Sequence, residues 1–405
     1  MLILSLNCGS SSIKSALIDS SDGRRLLDAR VENIGAADTV LQVGEKRRRV
    51  QEGDQAAALQ LLVNEIRSAR ADVGMIEAVA HRIVHGGERF TRATIVDEEV
   101  LKHLAQLDHL APLHNPPALA ALRRARTALS GVPHVAVFDT AFHSTLPPHA
   151  REYALPADIR RQYGVRRYGF HGISHEHVMR SVATQLRIEP HLLRIISCHL
   201  GAGASVTAIQ HGRSVETSMG MTPLEGVVMG TRGGDIDAGV LLHLLHAGID
   251  VEWLDDILNR RSGLIGLTGT SDMRAIQRRA EDGDESCTRA IALYSHRLRK
   301  YIGAYAGLMG GVDAISFTAG VGENSSQIRR LSTQGLEFLG VVLDEDHNRD
   351  VKVTAGAPFA DISRNGSRAR VVVVRADEEQ SMARQAAGLL GRAPAKPGRG
   401  APPPY

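Results

Sequence analysis

A chain of 405 residues with 43% hydrophobic and 23% charged residues has the make-up of a soluble globular protein of two or three domains. A net charge of +3, without a localised basic patch, argues against nucleic-acid partners, and the basic run 47–49 reads as a solvated face. No run approaches ~20 apolar residues, so no membrane partner is expected. The start, MLILSLNCGSSS, lacks the basic region of a signal peptide. Cys8, Cys198 and Cys287 show neither CxxC nor zinc spacing, which points to reduced thiols and a cytoplasmic location.

The chain opens with a strand over 1–6, a turn over 7–12 and a strand over 13–19. Strands over 25–34 and 46–52 extend a meander, the last at an edge because of its charge. Asp54 is suited to N-cap a helix over 55–70, with Leu61, Leu62 and Ile66 on one face. A buried strand over 76–84 stops at Gly86 and Gly87, helices over 97–107 and 116–129 come next, and the apolar strand 134–138 ends in Asp139. The pattern then restarts with a strand over 194–199, a glycine turn over 200–204 and a strand over 205–210. Aligning SLNCGSSSIKSAL with SCHLGAGASVTAI matches Ser5 to Ser197, Gly9 to Gly201 and Ala16 to Ala208. The copies lie about half the chain apart, as in a duplicated two-domain protein. A long amphipathic helix over 286–309 precedes a third apolar strand, 314–317, and the glycine turn TAGVGENS. Residues 392–405 are rich in Pro and Gly and are expected to form a disordered tail.

The chemistry-bearing residues gather at the turns. NCGSSSIK offers the backbone N–H groups of small residues, the short donors Asn7, Ser10 and Ser12, and the charge of Lys14, which together suit phosphate. A plain Ser-rich hairpin would look the same, and Walker A spacing is absent. HLGAGAS repeats the idea with Gly201 and Gly203; AGVGENS has Gly320 and Gly322 beside Glu323 and Asn324, whose side chains suit a ribose or base. Three such turns, each after an apolar strand, indicate a nucleotide held between two domains. Asp139, at the end of a buried strand, and Glu378 are candidate Mg²⁺ anchors. For Glu378 the alternative is a helix first turn complementing the macrodipole.

His171 and His175 have i,i+4 spacing, but neighbouring glycines and the lack of HExxH argue against zinc. A histidine donating to developing negative charge beside Arg82 and Arg232 fits better. Arg232 lies in the stretch 218–237, SMGMTPLEGVVMGTRGGDID, where a guanidinium needs an anionic partner. The candidates are Asp235, Asp237, or the carboxylate or phosphate of a substrate.

These strings resemble the acetate kinase family over roughly residues 1–390. NCGSSSIK, HRIVHGGE, LAPLHNPP, VFDTAFHSTLP, YGFHGISH, SCHLGAGAS, the 218–237 stretch, FTAGVGENS and ADEE occur in the family's order. The resemblance implies the duplicated α/β two-domain fold of the acetate and sugar kinase, Hsp70 and actin superfamily, with a nucleotide cleft between the domains. One domain would span 1–141 with a returning helix over 378–391, the other 142–377. It implies ATP and ADP, Mg²⁺ (with Mn²⁺ as a substitute), a homodimer, and reversible in-line phosphoryl transfer from ATP to acetate. Propionate or another short acid is the alternative acceptor, and a non-catalytic nucleotide-binding module is the reading from a different class.

Carried over by position, Asn7 sits at the transferred phosphoryl group and the metal, with Ser10, Ser12 and Lys14 in the first phosphate loop. Arg82 and Arg232 become the active-site arginines, Asp139 and Glu378 the magnesium acids, and His171 the transition-state histidine. His114 and His199 become further active-site histidines. Val84, Leu113, Phe170 and Pro223 line the acyl pocket, Gly322 lies beside the nucleotide, and Asp272, Met273 and Arg274 contact adenosine. The chain departs from the family's pattern at Ala202 (usually Asn), Gly233 (Ser), Ala238 (Pro) and Asp377 (Asn). Loss of one donor at Ala202 costs about 1–3 kcal/mol of binding or barrier. Val84 tilts the pocket toward the two-carbon acid.

Overall fold

The computed structural model describes residues 1–391 except 10, 11, 37, 52, 70–74 and 113. Ser10, Leu113 and the expected tail 392–405 therefore lie outside the described residues. The chain forms two compact units, one from Met1–Ala141 with the chain from Glu378 onward, the other from Phe142–Asp377.

In the first unit, β1 (Leu2–Cys8), β2 (Ile13–Asp19), β3 (Arg24–Glu32), β4 (Val40–Val43) and β5 (Lys46–Arg49) form an antiparallel meander. On its other side β1 pairs in parallel with β6 (Ala78–Ile83), and β6 with β8 (His134–Phe138); β7 (Thr94–Ile95) closes the edge antiparallel. The order among the described residues is β5-β4-β3-β2-β1-β6-β8-β7. The continuous apolar runs of β1 and β8 follow from burial on both sheet faces. Helix Gln55–Ala69 brings Leu59, Leu62 and Ile66 into one core with Leu4, Leu17 and Val31. Helix Glu378–Leu390 packs on β1, β2, β6 and β8 and buries Ser381, Met382, Ala383 and Ala386. Ser5 Oγ, inside β1, donates to Glu379 O at 2.7 Å and ties that helix to the sheet.

The second unit repeats the plan. β9 (Arg194–Leu200), β10 (Ala204–Gln210) and β11 (Arg213–Thr217) are antiparallel. β9, β12 (Ala314–Thr318) and β14 (Arg370–Val374) are parallel, with β13 (Phe359–Asp361) antiparallel at the edge. The duplication is thus visible in strand order. The repeat is offset by one residue at the first hairpin: Ala16 pairs with Ser5, but Ala208 pairs with Ile196 and not Ser197.

Other expectations shift at element ends. The strand expected over 46–52 stops at Arg49. The helices expected over 97–107 and 286–309 are Glu98–Ala105 and Glu285–Leu308, capped by the side chains of Asp97 and Asp284. TAGVGENS, expected as a turn, forms a short helix, Ala319–Asn324, that starts with Ala319 at φ +65°.

Several histidines are buried as neutral rings. His81 Nε2 and His134 Nδ1 share a hydrogen bond of 2.8 Å in the first unit. In the second, His143 bonds Ser214 Oγ and Phe170 O at 2.8 and 2.9 Å. Burial lowers the pKa of His143 to about 4, against about 6.5 in an unfolded chain; burial also depresses His81 and His175 well below the ordinary value. A depressed histidine contributes stability that is fully present above the unfolded pKa and is lost as pH falls through the folded one. Urea unfolding should therefore show stability falling between about pH 6.5 and 4, by roughly 1.4 kcal/mol per pH unit for each such histidine. His143→Gln should flatten that slope. A stability that stays level across the interval would contradict burial of these rings in the neutral form.

Candidate active site

In the first unit the side chains of interest stand at the carboxyl ends of the three parallel strands, where open α/β sheets gather ligands. Asn7 is near the end of β1, Arg82 near the end of β6, and Asp139 directly follows β8. Arg82 Nη2 donates to Asp139 Oδ2 at 2.6 Å and Arg82 Nε to both carboxylate oxygens at 3.0 and 3.2 Å. Arg82 Nη1 donates to Asn7 Oδ1 at 3.3 Å, and Asn7 Nδ2 to Glu378 Oε2 at 3.5 Å. Glu378 also lies 3.7 Å from Arg82 Nε. It opens helix Glu378–Leu390, the position that the macrodipole reading of this acid expects. Asp139 is 1% exposed; burial raises its pKa, Arg82 opposes that, and Glu378 adds to it. Arg82 is itself held protonated: burial works against its charge, but Asp139 and Glu378 outweigh it. Two carboxylates thus share one guanidinium, which leaves a net negative charge. Lys14 pairs with Asn7 across the ladder. Val84 is half-buried just beyond β6, and His114 is exposed at the start of helix Asn115–Ala128.

In the second unit, the stretch 218–237 is pinned by residues other than Arg232. Gly234 has φ +76°, and a Cβ there would lie 2.4 Å from Gly226 O, so only glycine allows this crossing. Asp235 N donates to Gly226 O at 2.8 Å, and Asp235 Oδ1 accepts from Gly226 N at 3.0 Å. The Asp235 carboxylate also accepts from Tyr301 OH at 2.9 Å. Asp237 caps helix Ala238–His246 through Gly239 N. Arg167 donates to Glu225 at 2.6 Å and to the carbonyls of Thr217 and Met219 at 3.2 Å, and Tyr153 OH also bonds Glu225.

Both acids beside Arg232 are therefore engaged elsewhere. Arg232 Nη1 donates to Pro223 O at 3.0 Å, and no carboxylate pairs with Arg232 among the described residues. Burial lowers its pKa, with no neighbouring charge to offset the effect. The structural Arg–Asp pair left open by the sequence is not formed.

His171 precedes helix Gly172–Leu186 in the left-handed region, φ +57°, a strained conformation for a histidine. Its ring stacks on His199 at 4.2 Å. Gly203, in the β9–β10 turn, is where the groups converge. A Cβ on it would lie 2.9 Å from Arg232 Nη2 and 3.3 Å from His171 Nε2. Gly201 lies in the same turn, its N–H donating to Gly203 O at 3.0 Å. The turn is tied to the arginine stretch by Gly230 N donating to Ala202 O at 3.0 Å. The departure at Ala202 keeps this backbone bond, and its side chain is exposed. Gly233 is also open: a Cβ there would lie 3.8 Å from its nearest neighbour, Ser262 Cβ. Phe170 is buried next to His171 in sequence.

A third group lies on the same unit. Helix Ala319–Asn324 carries Gly320, Gly322 and Asn324. Buried Arg329 donates to the carbonyls of Gly322 and Glu323 at 2.9 Å, and Glu323 Oε1 accepts from Ala319 N and Ala376 N. A cavity of about 780 Å³ is lined by Asp272, Arg274, Gln277, Asn324 and Ser325 among others. Met273 is buried in the core and does not line it. Arg274 is exposed and paired with Asp272 at 3.0 Å.

Sequence reasoning gave no role to Arg167, Glu225, Tyr301, Ser197 or Ser205. For His175 it offers a metal ligand, disfavoured, or a hydrogen-bonded scaffold ring, and the structure shows the ring bonded to Ser197 and Ser205. Its i,i+4 spacing from His171 was a usable signal, because that spacing puts both rings on one side of a helix start.

The family model of the acetokinase family matches residues 2–384. The acetate kinase of Streptomyces coelicolor is 46% identical over 401 residues, covering 96% of this chain and 97% of the relative. The crystal structure of Porphyromonas gingivalis acetate kinase superposes with a TM-score of 0.89 at 38% identity, covering 96% of this chain and 99% of that one. That of a propionate kinase from Francisella tularensis gives 0.88 at 34% identity, over 95% and 98%. The fold, the strand-end cluster around Arg82 and the extent of these matches agree, and the chain belongs to the acetokinase family.

Proposed function

We propose that this chain transfers the γ-phosphoryl group of ATP reversibly to acetate, giving acetyl phosphate and ADP. The observation that carries this reading is Arg232, a half-buried guanidinium without a carboxylate partner among the described residues, converging with His171 Nε2 on Gly203. An anion with several oxygens suits that arrangement. A carboxylate oxygen of acetate attacks γ-phosphorus while the bond to the β-phosphate oxygen breaks and its electron pair leaves with ADP. Acetate is already ionised at neutral pH, so no strong base is needed. Arg232 and His171 donate to the phosphoryl oxygens as charge spreads over them, and Arg82 orients the acceptor carboxylate.

The family implies Mg²⁺. The residues fit it: Asp139 and Glu378 carry one negative charge more than Arg82 cancels, and Asn7 adds an amide oxygen. Two carboxylates suit an ion that keeps most of its positions for water and phosphate. When bound, Mg²⁺ neutralises charge on the nucleotide phosphates. Ser12 and Lys14, with the turns at Gly201–Gly203 and Gly320–Gly322, are read as phosphate and nucleotide contacts, and the cavity at Asp272, Arg274 and Asn324 as the nucleoside end. Val84, Phe170 and Pro223 are read as acyl-pocket walls. Free cysteines are in keeping with a cytoplasmic enzyme.

A homodimer is part of the same reading. Helix Ala238–His246, AGVLLHLLH, buries none of its residues; Leu242 is 57% exposed, with Val251 67% and Trp253 39% exposed in the next helix. A patch of this kind marks an interaction surface, and a second copy of the chain is the proposed occupant. Sedimentation should show a dimer, with Leu242→Glu shifting it to monomer; a wild-type monomer at micromolar concentration would contradict this.

Activity is tested with ATP, Mg²⁺ and short acids, trapping the acyl phosphate with hydroxylamine. Acetyl hydroxamate should form, with kcat/KM higher for acetate than for propionate or butyrate. Arg82→Ala and Arg232→Ala should each lower kcat at least ~100-fold with ATP binding largely kept. Folded wild-type protein that forms no hydroxamate would overturn the kinase reading, and a propionate preference would overturn the choice of acid.

A further inference from the structure

Behind His171 runs a chain of hydrogen bonds that none of the chemistry above uses. His171 Nδ1 lies 2.9 Å from Ser205 Oγ, Ser205 Oγ lies 2.8 Å from His175 Nε2, and His175 Nδ1 lies 2.9 Å from Ser197 Oγ. Ser205, His175 and Ser197 are each 0% exposed. We infer that Ser197, His175 and Ser205 are positioning residues that hold His171 as a neutral imidazole with its proton on Nε2, the nitrogen that faces Gly203 and the Arg232 guanidinium.

The direction of the chain follows from counting protons. A serine hydroxyl has one hydrogen to donate. Ser205 stands between two ring nitrogens, so it donates to one and accepts from the other. His175 is neutral, because burial, reinforced by His143 and His199 beside it, depresses its pKa. It therefore carries one N–H.

Suppose that N–H were on Nδ1. It would donate to Ser197 Oγ, and the Ser197 hydroxyl would then need an acceptor of its own. Ser197 sits inside β9, and His175 Nδ1 is the only side-chain partner of its hydroxyl among the described residues. That arrangement strands a fully buried donor, which native interiors avoid. In the opposite direction every group is satisfied. Ser197 donates to His175 Nδ1, His175 Nε2–H donates to Ser205 Oγ, and Ser205 donates to His171 Nδ1. His171 Nδ1 is then an acceptor, so its proton is on Nε2. Protonating His171 to imidazolium would put a hydrogen on Nδ1, reverse Ser205 and strand Ser197 again. The chain therefore opposes that charge, as do Arg232 near Nε2 and any charge on the stacked His199. A neutral Nε2–H donor in this position matches the donor role proposed above, and the catalytic consequence rests on that reading. The tautomer itself does not.

The test uses full-length protein with ¹⁵N-labelled histidine. Long-range ¹H–¹⁵N spectra report which ring nitrogen carries hydrogen, and His171 is identified by the signals lost in His171→Asn. At neutral pH the expected result is His171 with hydrogen on Nε2 only. Ser205→Ala should mix the tautomers and lower kcat about 10- to 100-fold, with KM for ATP and acetate changed by about twofold or less; Ser205→Thr should restore both. Hydrogen on Nδ1 or an imidazolium in the wild type, or an unchanged tautomer in folded Ser205→Ala, would overturn the inference. Should Ser205→Ala not fold, the wild-type spectrum decides alone. An Nε2–H tautomer in a protein that forms no acyl phosphate would leave the chain of bonds standing and refute the kinase reading.

Discussion

A guanidinium kept away from the carboxylates nearest to it in sequence is the constraint around which the second unit's candidate site is arranged. Asp235 is three residues from Arg232 and Asp237 five, and either could have quenched its charge. The fold directs both elsewhere, Asp235 to Tyr301 and Gly226 and Asp237 to a helix start. Glu225 is claimed by Arg167 and Tyr153. Holding a desolvated cation without a counter-ion is unfavourable for the folded chain. Its retention makes sense where an anionic ligand completes it, and local instability of this kind is common where function is located.

The first unit solves the complementary problem. There the arginine is quenched, but by more negative charge than it carries. Asp139 and Glu378 come from a strand end and a helix start about 240 residues apart in sequence, and the bond from Ser5 to Glu379 helps fix the second against the first. The duplicated sheet supplies both settings from one plan. In each unit the first strand pair and the parallel strand beside it end in the residues that carry charge or hydrogen-bond donors. The copies differ in the segments that meet those strand ends: an acid and a returning helix in one, a histidine pair and the 218–237 stretch in the other.

Much of this is legible in the residue order. The strand–turn–strand repeat, the acid at the end of β8 and the glycines of the β9–β10 turn all follow from local patterning, which residue order encodes directly. The partner of Arg232 was not legible, because the choice between Asp235 and a substrate depends on Tyr301, an OH group brought in from a distant helix. The serine and histidine chain behind His171 was hidden for the same reason. Ser197 and Ser205 read as ordinary strand residues until the β9–β10 register and helix Gly172–Leu186 bring them to His175. TAGVGENS looked like a turn because glycines favour one, yet buried Arg329, binding its carbonyls from the next helix along the chain, accompanies a short helical form. The departure at Gly233 is neutral in the fold, since its position is open, whereas Gly234 next to it is fixed by its contact with Gly226.

The central claim, that Arg232 is held uncompensated for a ligand, is tested most directly by the unfolding midpoint of Arg232→Met without ligands. Methionine has similar length and removes the charge. If the cation is an unpaired burden on the folded state, the variant should unfold at a higher temperature than wild type while losing phosphoryl transfer. A midpoint several degrees lower, as expected for the loss of a structural ion pair, would contradict the account.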